Sequence, residues 1–105
     1  MGAIPMEQTV MELIVNGGDA RSKAMQAIKL AKKGDLEAAK EKIKEANEAL
    51  NKAHDFQTTL IQNEAAGEHV EVSLLMVHAQ DHLMNAITVR DLAQEMVSMY
   101  EEFRK

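Results

Sequence analysis

The sequence contains no cysteine, and this absence excludes several kinds of chemistry. Without thiols the chain has no disulfide framework, no thiolate metal site and no cysteine nucleophile. One proline and an aromatic content of 3% leave little that favours strands, whereas strong helix formers such as Ala, Leu, Glu, Lys and Met dominate. The composition therefore predicts an all-α protein.

Membrane-spanning and nucleic-acid-binding features are also missing. No apolar run reaches the roughly 18 residues that a membrane-spanning helix needs. The start, MGAIPMEQ, lacks the basic region and long apolar core of a secretory signal. Lysines and arginines alternate with glutamates at a net charge of −5, so no clustered positive surface is available for phosphate backbones. We therefore expect a cytoplasmic protein that does not bind nucleic acid.

A chain of 105 residues is the size of one domain. We take residues 1–105 as that domain, with residues 1–5 as a disordered start or a remnant of cloning. Its core is small, and small domains are only marginally stable alone. Oligomerisation is therefore an expected source of further burial.

Two glycine-containing breaks divide the chain into three helical segments. In KKGD, Gly34 is predicted to end the first helix and Asp35 to cap the second. EAAGEH, at 64–69, is the second break. The predicted helices cover 6–33, 36–63 and 70–103, and short connections between long helices predict a three-helix up-down-up antiparallel bundle.

The first two segments each carry a stripe of small or apolar residues at heptad-like spacing. NGGD at 16–19 either splits the first segment or allows one helix whose Gly17 admits a close neighbouring backbone; we favour the second, because the periodicity continues past it. In the second segment Gln57 lies on the stripe and needs a hydrogen-bond partner if buried. The stripes are Val10, Leu13, Gly17, Ala20, Ala24, Ala27 and Ala31, and Leu36, Ala39, Ile43, Ala46, Leu50, Ala53 and Leu60. The second helix has a charged opposite face of Lys40, Lys44, Glu48 and Lys52, which is expected to be solvated.

The third segment differs along its length. Its C-terminal half has one apolar side, formed by Val89, Leu92, Ala93, Met96, Val97, Tyr100 and Phe103. Its N-terminal half is apolar on the second side as well, through Met76, Leu83, Met84 and Ile87. Two partner helices cannot cover a helix that is apolar all round, so the pattern predicts a homo-oligomer or, alternatively, an exposed patch for another partner.

Polar residues interrupt that apolar half in LLMVHAQDHLMNAI, residues 74–87. His78, Asp81, His82 and Asn85 share one arc at spacings i, i+3, i+4 and i+7. A hydrogen-bonded core histidine is the simplest interpretation of either histidine alone. HAQDH is also close to the H-x-x-E-H zinc motif, but it has Asp for Glu and no evident third ligand. A nucleophilic imidazole oriented by its neighbours is the other chemical interpretation.

The same stretch resembles the signature of the lactose/cellobiose-specific enzyme IIA family of the bacterial phosphotransferase system. The resemblance extends to NGGDARSKAMQAIKLAKKGD and AHDFQTTLIQNEAAGE, and so covers nearly the whole chain. It implies a homotrimer of three-helix protomers and a phosphoryl relay. In this relay phospho-HPr, the histidine phosphocarrier protein, donates a phosphoryl group to IIA. IIA then donates the phosphoryl group to a cysteine of the IIB component, which phosphorylates sugar as it enters through the IIC permease.

The resemblance implies a role for four residues of the motif. His78 corresponds to the phosphorylated histidine, and Gln80 and His82 match as supporting residues. Asp81 corresponds to the aspartate that meets its symmetry mates around a metal at the trimer axis. Three carboxylates at one axis repel each other, and a hard cation such as Mg²⁺, one per trimer, removes that penalty.

The sequence alone leaves three functions open. The chain is either a phosphocarrier, a metal-binding helical bundle without transfer chemistry, or an oligomeric scaffold whose polar arc fixes register. Sugar recognition belongs to the permease, so the sugar stays open among cellobiose-type, lactose and chitobiose, with a slight preference for the cellobiose type. The role of His54 is likewise left open.

Overall fold

In a computed structural model, residues 6–69 and 71–104 are described, and they form three long helices in a bundle of 54 × 25 × 20 Å. Helix α1 spans Met6–Lys32, α2 spans Leu36–Ala65 and α3 spans Leu74–Phe103. The predicted all-α, three-helix fold is confirmed for this part of the chain. The expectation about residues 1–5 lies outside the described residues. Among the described helices, none is both long and apolar enough to cross a membrane.

Helix α1 runs unbroken through NGGD, as predicted. Gly17 is buried, and a β-carbon built on it would lie 3.5 Å from the carbonyl oxygen of His82 and 3.5 Å from the Cα of Leu83. The backbone of α3 therefore comes close to α1 at this point. All seven residues of the predicted α1 stripe are buried.

The connection between α1 and α2 has the predicted chemistry. Gly34 adopts φ +91°, a left-handed conformation that strains other residues, and Asp35 accepts a hydrogen bond from the backbone N–H of Ala38. The guanidinium of Arg104, at the end of α3, donates to the carbonyl oxygen of Lys32 at 3.3 Å. The C-terminal end of α1 is thus capped by a residue from the far end of the chain.

Helix α3 begins later than the sequence pattern predicts. Ser73, in extended conformation, is its N-cap and accepts from the backbone N–H of Met76 at 3.1 Å. The described residues before it, 71–73, are non-helical, so a helix starting at 70 was wrong. Helix α2 also continues to Ala65, two residues past its predicted end. The connection before α3 is therefore longer than predicted.

Helix α1 packs along both other helices, whereas α2 and α3 contact each other less. Polar side chains bridge this α2–α3 seam at successive heights. Lys40 pairs with Glu101, and Arg90 donates to the amide oxygen of Asn47. Close to the start of α3, the side chain of Gln57 is bonded to that of Gln80. Polar side-chain pairs therefore line the α2–α3 contact, while the apolar core contains residues of all three helices.

Candidate functional site

The N-terminal half of α3 carries the residues that the sequence singled out. Its orientation is fixed by Ala79 and Leu83, which are fully buried against the other two helices. Because His78 and His82 immediately precede these two core residues, they lie at the edge of the packed face. His78 is exposed and His82 is half-buried. An imidazole in the position of His78 is accessible to a protein partner.

The two histidine rings contact each other across one helical turn. Their centroids are 4.8 Å apart and their planes meet at 82°, an edge-to-face arrangement. The spacing of four residues brings them together, as the sequence predicted. A neutral imidazole has a nitrogen lone pair that can form a bond to an electrophile. The arrangement can therefore hold one reactive ring against a second that limits its rotation.

Asp81 is exposed on the outer side of α3, between Val77 and Met84, which are 51% and 44% exposed. No ion pair involving its carboxylate is found among the described residues. In the same part of the chain, no group of three or more His, Cys, Asp or Glu side chains is placed to hold a metal ion. The described part of one protomer therefore supplies Asp81 as a candidate ligand, without a complete metal site.

Gln80 lies on a different side of α3 from His78. Residues two apart on a helix are separated by roughly 200° around its axis, so the two side chains diverge. The amide nitrogen of Gln57, on α2, donates to the amide oxygen of Gln80 at 2.9 Å. The expectation that Gln57 needs a partner is confirmed. A direct contact between Gln80 and His78 does not form within one chain.

An apolar stripe runs along the whole outer side of α3, and it differs in detail from the sequence prediction. Met76 and Leu83 are buried inside the protomer, so assigning them to a second, unpartnered side was wrong. In the C-terminal half, several residues assigned to the core side are instead exposed. We call the exposed set the outer stripe; it consists of Leu74, Val77, Met84, Leu92, Met96, Met99 and Phe103.

The two other histidines are placed elsewhere. His54 is exposed on α2. The Nδ1 atom of His69, between α2 and α3, lies 2.8 Å from a carboxylate oxygen of Glu64. Asn85 is exposed on α3, on the arc predicted for it. In the described part of the chain, only His82 makes a ring contact with His78.

The chain is similar to a group of known proteins. Residues 8–101 match the family described as PTS system, Lactose/Cellobiose specific IIA subunit. The lichenan-specific phosphotransferase enzyme IIA component of Bacillus subtilis is 58% identical over 97 residues, covering 92% of this chain and 88% of that protein. The crystal structure of the cellobiose-specific enzyme IIA of Bacillus anthracis superposes with a TM-score of 0.91 at 50% identity, covering 97% and 94% of the two chains.

A further similar protein has been solved in complex with another protein. The chitobiose-specific IIA protein of Escherichia coli, in solution structures of its complex with HPr, superposes with a TM-score of 0.83 at 44% identity. The match covers 98% of this chain and all of that one.

Proposed function

The chain belongs to the lactose/cellobiose-specific IIA family of the phosphotransferase system, and we propose that it carries its phosphoryl group on His78. As a IIA component it is a phosphocarrier, and it is not a complete sugar kinase. The observation that supports His78 most directly is its exposure at the edge of the packed face, with its ring against His82. Among the described residues, His54 and His69 have no such neighbouring ring.

The relay consists of two transfers to and from the same ring. A nitrogen lone pair of His78 forms a bond to phosphorus while the bond from phosphorus to the histidine nitrogen of phospho-HPr breaks. The phosphoryl group then passes to the thiolate sulfur of a cysteine on IIB, and the N–P bond at His78 breaks as the S–P bond forms. HPr is proposed as the donor because a 44% identical relative forms a complex with it.

Two protein partners must occupy the surface around His78 in turn, so a modest and transient interface is expected. Leu75 and Val77, which flank this position, are 52% and 51% exposed. Chemical-shift mapping with HPr and with IIB should give overlapping footprints that both include His78. Disjoint footprints that both miss it would contradict the shared docking surface.

The same comparison supports a proposal about the sugar and the compartment. The three similar proteins described above are named for lichenan, cellobiose and chitobiose, all built on β-linked sugars. We propose uptake of a β-linked disaccharide of the cellobiose or chitobiose type, with this component acting in the cytoplasm. Transport assays with each disaccharide in cells lacking and carrying the gene test this choice.

We propose that three protomers assemble through the outer stripe. Together with Asp81 and Thr88, which are also exposed, its members recur every three or four residues along α3, the spacing with which parallel helices pack around a common axis. Asp81 lies within this stripe and lacks an ion-pair partner among the described residues. A three-fold axis there brings three carboxylates together, and their oxygens suit Mg²⁺. Asp81 would hold the ion and relieve the mutual repulsion of the carboxylates.

A trimer would also place Gln80 of one protomer near the histidines of the next. In a three-fold assembly each protomer contacts its two neighbours through two different surfaces. One flank of each α3 therefore faces the opposite flank of the next α3. With Asp81 at the axis, His78 and His82 lie on one flank and Gln80 on the other. Rotation about the axis preserves height, and residues two apart differ by only about 3 Å along the helix. Gln80 of the partner subunit would therefore approach His78.

Phosphorylation in a reconstituted relay tests the function. The protein is incubated with phosphoenolpyruvate, enzyme I and HPr, and each component is omitted in turn. We expect an acid-labile phosphoryl adduct that needs all three, and we expect the purified adduct to pass its phosphoryl group to IIB when the two are mixed without phosphoenolpyruvate. A metal-binding bundle or an oligomeric scaffold would acquire no adduct under the same conditions.

A further inference from the structure

We propose that Gln57 is a positioning residue for the phosphoryl transfer: it sets which end of the Gln80 amide faces the phosphoryl group on His78 of the partner subunit. This inference rests on the proposed function and on the trimeric arrangement proposed with it. It starts from the hydrogen bond that Gln57 donates, through its amide nitrogen, to the amide oxygen of Gln80.

A glutamine amide has an acceptor at one atom and two donors at the other. The hydrogen bond from Gln57 occupies the oxygen of Gln80, at an N···O distance of 2.9 Å. Because this bond uses the oxygen, the two N–H donors of the Gln80 amide are left for another acceptor. Phosphoryl oxygens accept hydrogen bonds and carry negative charge, so donors stabilise them and acceptors repel them. The orientation of this amide therefore decides whether Gln80 stabilises or repels the phosphoryl group.

The surroundings of the pair favour a fixed orientation. Both side chains are half-buried in the α2–α3 seam, where water competes less for the hydrogen bond than at an exposed site. Gln57 lies on the same face of α2 as Ala53 and Leu60, which are buried. Helix α2 thereby contributes to a reaction whose other residues all lie on α3.

The test is to reverse the polarity of the pair. In Gln57→Glu the new carboxylate can only accept, so Gln80 must turn its N–H donors toward α2 and its oxygen toward the phosphoryl group. We expect the turnover rate of phosphoryl transfer from phospho-HPr to fall about tenfold or more, with the KM for phospho-HPr within about twofold of the wild-type value. Gln57→Leu leaves the Gln80 amide free to rotate, and we expect a smaller loss, about threefold.

A double-mutant cycle separates positioning from a general effect on packing. In a Gln80→Ala background, Gln57→Glu should change the rate by less than about twofold, because no amide is left to orient. Asn47→Ala is the matched control: it breaks the next side-chain bridge of the same seam, with Arg90, and should transfer at the wild-type rate. Gln57→Leu serves the same cycle if Gln57→Glu does not fold.

Three results would overturn the inference: wild-type turnover in Gln57→Glu, an undiminished loss in the Gln80→Ala background, or an equal loss in Asn47→Ala. Each of these outcomes leaves phosphorylation of the wild-type protein intact. A wild-type protein that accepts no phosphoryl group would instead contradict the proposed function itself. The two failures are therefore distinguishable in one set of assays.

Discussion

The ring of His78 meets the ring of His82 edge to face, with a centroid separation of 4.8 Å. This contact ties an exposed imidazole to a half-buried one on the same helix. In the proposed function the exposed ring is the one that reacts, and we expect the half-buried ring to restrict its rotation and to donate an N–H to the phosphoryl group. Different consequences are expected when each ring is removed.

His82→Ala should slow phosphoryl transfer without abolishing it. The variant retains the nucleophile but loses the neighbouring ring, and we expect a loss of about 10- to 100-fold, typical of a supporting group. Rapid-quench measurement of transfer from phospho-HPr gives the rate. The control is Asn85→Ala, an exposed neighbour on the same arc, which should change the rate little. A wild-type rate in His82→Ala would remove the supporting role.

Asp81 variants test the assembly. Asp81→Leu should be tolerated, because apolar packing often replaces a buried ionic cluster at neutral or favourable cost. Asp81→Lys should disrupt the trimer, because it gathers three ammonium groups without an anion. Removing metal with a chelator should weaken the wild-type trimer and leave the leucine variant unchanged. Sedimentation equilibrium measures all of these, and a wild-type protein that is monomeric at micromolar concentration with Mg²⁺ present would refute the trimer.

The trimer interface can also be tested in a part of the outer stripe that is distant from Asp81. Leu92 is 53% exposed in the single protomer, and we expect it to be covered in the trimer. Leu92→Glu should therefore shift the protein toward monomer without unfolding it, since it places three like charges at one interface. Gln26→Glu, which adds the same charge at an exposed position on α1, is the control. Size-exclusion chromatography with light scattering should show a trimer for the control alone.

Gly17 and Gly18 form a matched pair for testing the close approach of α1 and α3. A β-carbon at Gly17 would meet the α3 backbone at 3.5 Å, an ordinary contact, whereas one at Gly18 would meet nothing within 4 Å. Gly17→Ala and Gly18→Ala should each stabilise the helix by up to about 1 kcal/mol. Gly17→Leu should instead destabilise the protein by about 1–3 kcal/mol, because the larger side chain forces α3 away, while Gly18→Leu should not. Urea unfolding compares the four variants, and equal stability of the two leucine variants would contradict the packing.

The helices of the bundle could be predicted because their signals are local. The α1 stripe, Gly34 and Asp35 each depend on helical periodicity or on the conformational preference of one residue, and the structure confirms all three. The start of α3 was placed too early because apolar residues before Ser73 continue the pattern, whereas the cap at Ser73 decides where the helix begins.

The extent of burial on α3 and the partner of Gln57 depend on contacts with other helices, which the periodic pattern of one helix does not show. Met76 and Leu83 were predicted to lie on an unpartnered side of α3, but they are buried. The width of a buried face depends on how closely α1 and α2 approach α3, which the sequence pattern does not contain. The pattern indicated that Gln57 needs a partner but could not identify Gln80, which lies 23 positions away on another helix. The grouping of His78 with His82 was predictable, since it needs only the geometry of one helix.

The site of phosphorylation is the most direct test of the account. The wild-type protein is phosphorylated by phosphoenolpyruvate, enzyme I and HPr, then digested at alkaline pH, and the modified residue is located by tandem mass spectrometry; His78→Ala and His82→Ala are treated in parallel. We predict a single phosphohistidine at His78 in the wild-type and His82→Ala proteins and none in His78→Ala. A phosphoryl group on His54, His69 or His82, or its persistence in His78→Ala, would contradict the assignment.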